Sequence, residues 1–131
     1  MTRLEPGLTA TVTLVVGPAD TATAFASGAV EVLATPRLIG LLEEAAALAV
    51  GPALAEEQTT VGTRVDMRHL AATPIGMRVT ANAELLEVEE RRLRFRIQAH
   101  DEHELVAEGT HERAIVNRAR FLERVAQKAG K

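Results

Sequence analysis

The stretch "TPRLIGLLEEAAALAVGPAL", from Thr35 to Leu54, constrains this chain more than any other. Thr35 is predicted to cap a helix and Pro36 to open it, where its missing N–H costs nothing. Leu38, Leu41, Leu42, Ala45, Leu48 and Ala49 then recur at the i, i+3, i+4, i+7 spacing of a core-facing stripe. The other faces carry Gly40, Ala46, Ala47 and Val50. A helix this apolar on several sides must be covered on most of them. Gly51-Pro52 ends or breaks it.

The remaining sequence supplies strands to cover it. Leu8, Ala10, Val12, Leu14 and Val16 alternate with Thr9, Thr11 and Thr13, the pattern of a half-buried strand. "GPADTATAFASGAVEV" reads as a long loop with a short helical turn. After "AEEQTT", Val61, Thr63, Val65 and Met67 alternate with Gly62, Arg64, Asp66 and Arg68. The turn "ATPIG" leads to a strand through Val79, Ala81, Ala83 and Leu85. "EVEERR" turns into Leu93, Phe95, Ile97 and Ala99, and "HDEHE" into a last strand from Leu105 to Val116. "NRARFLERVAQKAGK" closes as a charged amphipathic helix with a fraying tail. Tight turns pair strands antiparallel. The expected fold class is α+β, a sheet curled around one helix, with residues 1–131 as a single domain.

Composition narrows the function. Aromatic residues make up 2% of the chain, with no Trp and no Tyr, so stacking platforms for nucleic-acid bases are missing. A net charge of -3 gives no basic field for phosphate polymers. The absence of cysteine excludes disulfides, thiolate catalysis and Cys-ligated metals. The N-terminal "MTRLEPGLTA" has no apolar run of the signal-peptide kind, and "AAALAVGPALA" is too short to cross a bilayer. The expectation is a cytoplasmic protein that binds neither membrane nor nucleic acid.

Four features could carry chemistry. His69 falls on the Val65/Met67 phase of its strand, where it is a hydrogen-bonded, half-buried residue or a proton-transfer group. Glu43 and Glu44 lie in the apolar helix, and the helical neighbours of Glu43 (Ile39, Gly40, Ala46, Ala47) cannot neutralise it. The pair marks either an exposed side or a functional cleft. Thr35 sits at a helix start, which also stabilises developing anions. The "HDEH" turn lacks the helical spacing of a metal site. The arginines of "RRLRFRI" form a solvated strand face or meet the phosphates of a cofactor such as coenzyme A.

Taken together, "LATPRLIGLLEEAAALAV", "VGTRVDMRHLAATPIGMRVTANAEL" and "GTHERAIVN" resemble the hotdog-fold thioesterases, and most closely their fluoroacetyl-CoA thioesterase branch. The run His69 to Gly76, H-x-A-A-T-P-x-G, carries most of the likeness. The resemblance implies a hotdog fold and a catalytic group of Thr35, Glu43 and His69. It selects Glu43 over Glu44 because Thr35 precedes it by eight residues. It also implies that the Gly62 N–H meets the thioester carbonyl and that Arg113 lies near the acyl group. One departure stands out. Where the fluoroacetyl enzyme carries gating phenylalanines, this chain has Ala29, with Phe25 the only aromatic nearby.

The resemblance therefore implies an acyl-CoA thioesterase, not specific for fluoroacetyl-CoA, with coenzyme A as part of the substrate and no other cofactor or metal. Hotdog proteins generally pair into a continuous sheet, which implies a homodimer or higher oligomer. A non-catalytic acyl-CoA binding protein of the same fold is the competing reading. A hotdog hydratase ranks lower, because its "D-x-N-P-x-H" loop is missing. One geometric question remains. Strict alternation puts Gly62 and His69 on opposite faces of their strand. Either the strand bends, or the two residues serve different subunits' sites.

Overall fold

The computed structural model describes residues 2–130. Met1 and Lys131, the outer ends of the N-terminal segment and of the C-terminal tail, lie outside it. The elements run β1 (Thr9–Val15), α1 (Thr35–Val50), β2 (Gln58–His69), β3 (Arg78–Glu89), β4 (Arg92–His100), β5 (Leu105–Asn117) and α2 (Arg118–Lys128). A 3-10 turn at Pro18–Asp20 supplies the helical turn expected in the loop after β1. The strands form one antiparallel sheet in the order β1-β3-β4-β5-β2. The sheet wraps α1, so the α+β expectation holds. Among the described residues no helix is long and apolar enough to cross a membrane.

The core is the seam between α1 and the inner face of the sheet. Leu38, Leu41, Leu42, Ala45, Ala46, Ala49 and Val50 of α1 are buried against Val79, Ala81, Ala83, Leu85, Leu93, Phe95, Ile97 and Ala99. Each large side chain there contributes roughly 1.5–3 kcal/mol by leaving water. Leu48 corrects the expected core stripe, because it is 54% exposed. It follows Pro36, Gly40 and Glu44 at four-residue steps along the outer side of the helix. Ala46 and Val50 are buried in its place.

The first turn of α1 is held from outside. Ala34 is the N-cap, and no side chain caps the helix. This corrects the expected capping role of Thr35, which is the first helical residue. Asp20 is the anchor instead. Its carboxylate accepts from the Gly17 N–H at 2.8 Å and from Arg37 Nε at 2.9 Å. Its partial burial pushes the Asp20 pKa up, but the Gly17 N–H and Arg37 outweigh that and leave it below the ordinary value. The Ala34 N–H donates to the Asp20 carbonyl at 2.8 Å, and Leu33 N–H to Thr73 O at 2.9 Å. Thr73 is fully buried and donates its hydroxyl to Asp101 at 3.0 Å. These bonds fix the start of α1 against the turn that follows β2.

Strand β2 lies at one edge of the sheet. Gly62 pairs with Arg113 of β5, but Arg64 pairs with Glu112, so Thr63 is an extra residue in a β-bulge. Residues paired directly across a ladder share a face. Gly62, Val65, Met67 and His69 therefore all point inward, opposite Arg113, His111, Gly109 and Ala107. Val61 pairs with Ala114 and points outward, which corrects the expected grouping of Val61 with Val65.

Candidate active site

Two groups of polar side chains face the concave side. The first joins β2 to the start of α1. Thr35 Oγ1 lies 2.7 Å from His69 Nδ1. With its cap role taken by the backbone, the hydroxyl is free for this contact. The other ring nitrogen, Nε2, is buried without a hydrogen-bond partner among the described residues. Burial lowers the His69 pKa, against an opposing pull from the Ala71 backbone, so the neutral ring is favoured. If the Thr35 hydroxyl donates to Nδ1, Nε2 carries the proton and is a donor with nothing to donate to. Unsatisfied buried groups of this kind are uncommon and call for an explanation. Thr35 and His69 line an open groove of about 370 Å³, walled by Ser27, Gly28, Val30 and Leu70.

The second group joins the middle of α1 to β2 and β5. Glu43 is 40% exposed at its side chain, and its Oε2 lies 3.3 Å from Arg113 NH1. Thus a strand on the far side of the sheet neutralises the carboxylate that its own helix leaves unpaired. Arg113 is buried and nearly filled with partners. Its Nε donates to Thr60 Oγ1 at 2.8 Å, its NH2 to Thr60 O at 3.1 Å, and its NH1 also to His111 Nε2 at 3.2 Å. Burial works against its charge, and Glu43 supports it.

Gly62 completes this group. A Cβ there would run into Glu43 Oε2 and would meet Arg113 NH1 and His111 Cε1 at 3.4 Å. Only a glycine lets the backbone of β2 come this close to the carboxylate. Glu44, one residue on, is exposed.

The structure thus brings Thr35 to His69, and Glu43 to Gly62 and Arg113. It does not bring the two groups together within one chain. Thr35 and Glu43 are eight residues apart on a helix, about 12 Å at its usual rise. Gly62 and His69 are separated by roughly 20 Å of extended strand.

Sequence reasoning missed His111 and Thr60. The available signal was phase, since Ala107, Gly109, His111, Arg113 and Ile115 occupy one face of β5 and the two polar members are buried.

The other candidates are occupied elsewhere. Asp101 of the "HDEH" turn accepts from the His103 and Glu104 N–H groups at 2.8 and 3.0 Å. Among the described residues no three potential metal ligands cluster. Arg94 and Arg96 face Glu87 at 3.3 Å and Glu84 at 3.4 Å on the outer side of the sheet. In the loop before α1, Phe25 is 42% exposed, and neither it nor Ala29 lines the groove.

Comparison with known proteins identifies the family and the fold. A family model described as fluoroacetyl-CoA-specific thioesterase, FlK, matches residues 16–119. The fluoroacetyl-CoA thioesterase of Streptantibioticus cattleyicolor is 44% identical over 98 residues, covering 75% of this chain and 70% of that protein. A crystal structure of the fluoroacetyl-CoA thioesterase FlK superposes with a TM-score of 0.90 at 37% identity, covering 97% of this chain and 98% of that one. A thioesterase superfamily member from Thermus thermophilus gives a TM-score of 0.88 at 29% identity, covering 99% and 98% of the two chains. A hot-dog-like protein from Thermanaerovibrio acidaminovorans gives 0.85 at 26%, covering 94% and 91%. With its sheet curled around one helix and a matched span that includes both polar groups, the chain belongs to the FlK thioesterase family and is a hotdog-fold thioester hydrolase.

Proposed function

We propose that the protein hydrolyses an acyl-CoA thioester at a site shared between two protomers. Thr35 and His69 come from one protomer, and the partner's Glu43, Gly62 and Arg113 complete the site. The observation that carries this reading is the bulge at Thr63, which turns Gly62 and His69 to the same face of an unpaired strand edge. Strand β2 spans twelve residues and is exposed at Gly62–Asp66. A long, free edge of this kind is normally covered.

Antiparallel pairing of β2 with its own copy about an axis at Asp66 sets Arg64 opposite Arg68 and Val65 opposite Met67. Once the bulge has absorbed Thr63, Gly62 stands opposite His69. Each pair matches inward with inward and outward with outward. The roughly 20 Å that separate Gly62 from His69 in one chain become one strand spacing between chains.

In this arrangement the Gly62 N–H polarises the thioester carbonyl. A donor of this type is worth about 3–4 kcal/mol of barrier. Glu43 either adds to the carbonyl carbon, giving an anhydride that water then hydrolyses, or takes a proton from the water that adds. The C–S bond breaks and the sulfur leaves with the electron pair. With Thr35 at Nδ1, the neutral His69 ring donates an Nε2–H hydrogen bond to that thiolate, which takes up a proton released by the attacking water. The products are a carboxylate and free coenzyme A.

The loop before α1 supports a substrate other than fluoroacetyl-CoA. Among the described residues, Ser27, Gly28 and Val30 wall the groove, and no phenylalanine does. A thiol-release assay over acetyl-, fluoroacetyl- and longer acyl-CoA substrates tests the proposal. Turnover of several acyl groups, abolished by Glu43→Gln, is expected. A Glu43→Gln enzyme with undiminished hydrolysis sinks the site assignment.

A further inference from the structure

The residue unaccounted for is His111. It is 1% exposed, on the inner face of β5, opposite Val65 on one side and Phe95 on the other. Its ring tilts 30° from that of Phe95 at a centroid distance of 6.0 Å. Both ring nitrogens are engaged. Nδ1 lies 2.7 Å from the Arg64 carbonyl, and Nε2 lies 3.2 Å from Arg113 NH1. A carbonyl only accepts and a guanidinium only donates. Nδ1 therefore carries the proton and Nε2 is bare, which specifies one neutral tautomer. Burial, aided by the Arg113 charge, opposes protonation more strongly than Arg64 O, Glu43 and Glu112 favour it. A ring with both nitrogens committed is a poor proton shuttle.

Its contacts instead point to geometry. Arg64 is the first paired residue after the bulge, so the Nδ1–H bond is made where β2 departs from regular pairing. The ring also forms a floor beneath Gly62, with Cε1 at 3.4 Å from the Cβ that Gly62 lacks. Through Nε2 it seats the same NH1 that holds Glu43. One imidazole thus ties together the bulge, the Gly62 backbone and the Arg113–Glu43 pair.

We infer that His111 is a positioning residue for thioester hydrolysis: by binding the Arg64 carbonyl it fixes the bulge that aims the Gly62 N–H, while its bond to Arg113 is secondary, because two bonds to Thr60 also hold that guanidinium. This rests on the assignment of Gly62 and Glu43 given above.

The two bonds can be removed separately. In His111→Asn the side-chain amide reaches the place of Nδ1 and keeps donation to Arg64. In His111→Gln it reaches the place of Nε2 and keeps acceptance from Arg113. The bulge bond is the one that aims Gly62, so Asn is expected to hold kcat within about threefold and Gln to lose about tenfold or more. KM should change little in either, because the effect falls on the transition state. Hydrogen exchange over the 60–66 segment should loosen in His111→Gln and stay as wild type in His111→Asn.

Assays use the intact purified protein with the best substrate of an acetyl- to octanoyl-CoA panel, below each variant's melting temperature, beside Glu43→Gln. A fully active Glu43→Gln defeats the site assignment itself. An inactive Glu43→Gln beside a folded His111→Gln with wild-type kcat defeats only the positioning role. A kcat loss in His111→Gln with unchanged exchange at 60–66 also defeats it. Should His111→Gln not fold, His111→Asn decides alone, a tenfold loss of kcat with wild-type exchange overturning the inference.

Discussion

Gly62 and His69 point to the same face of β2, although seven residue steps separate them. The matching stretch of β5, from Arg113 to Ala107, takes six steps, and the bulge at Thr63 absorbs the difference. One extra residue therefore decides whether the two residues proposed to meet the thioester can share a surface.

Gly62→Ala tests the close approach at one end of that stretch. The added Cβ has no room beside Glu43 Oε2. Glu43 must move, and with it the contact to Arg113. Activity should fall about 100-fold, comparable to losing one carbonyl-binding donor. The strand is exposed at this point, so the loss of stability should be small. Steady-state kinetics with thermal melts checks both.

Thr35→Ala separates catalysis from folding. The hydroxyl caps nothing, Ala34 holds the N-cap position, and the residue is exposed. Stability should stay within about 0.5 kcal/mol of wild type. Activity should fall, because Nδ1 of His69 loses its partner. In a double-mutant cycle with His69→Ala the two losses should not add, with a coupling of about 1–3 kcal/mol in the barrier. Additive losses would separate the two residues functionally.

Two histidines set a pH dependence of stability. His69 and His111 both have pKa values lowered from 6.5, chiefly by burial. The unfolded chain therefore binds more protons than the folded one below that value. Their contribution is complete above pH 6.5 and is lost as the pH falls through the lowered folded values. Melting temperature should drop from pH 7 toward pH 5. His111→Phe, where folded, should flatten part of that slope, although Arg113, Glu43 and Glu112 also face the ring. A slope unchanged in both His69→Ala and His111→Phe would contradict this account.

Much of this was legible in the sequence, and what was not has identifiable causes. The alternation in β1, β3 and β4 gave faces that hold, because one side of each strand is wet or charged and the other is apolar. Helix α1 gave its existence and most of its buried stripe, Leu38, Leu41, Leu42, Ala45 and Ala49, but not where that stripe ends. It is apolar on most sides, so Leu48 read as core while it lies outside, 54% exposed. The bulge left no trace, since Thr63 is an ordinary strand residue and only its pairing reveals it. Strict period-two counting therefore placed Gly62 and His69 on opposite faces. The partner of Glu43 was hidden by distance. Arg113 lies seventy residues along the chain, and helical neighbours alone could not supply a cation. His111 was passed over as one more strand residue, yet a polar side chain on the inward phase of β5 was the available clue.

Complementation between inactive variants tests the shared site directly. A Glu43→Gln protomer keeps Thr35 and His69, and a His69→Ala protomer keeps Glu43, Gly62 and Arg113. In a mixed dimer with composite sites, both substitutions fall in one site and leave the other intact. If the groups acted within one chain, every site would carry one substitution. Random mixing makes about half of the dimers mixed, each with one working site, so about a quarter of wild-type activity per chain should return. Each variant alone is expected to be inactive, which keeps the background low. Recovery should grow as subunits exchange and should fail when the dimers are cross-linked before mixing. No recovery despite demonstrated exchange would place the whole catalytic group within a single chain, against the separations of about 12 and 20 Å estimated along α1 and β2.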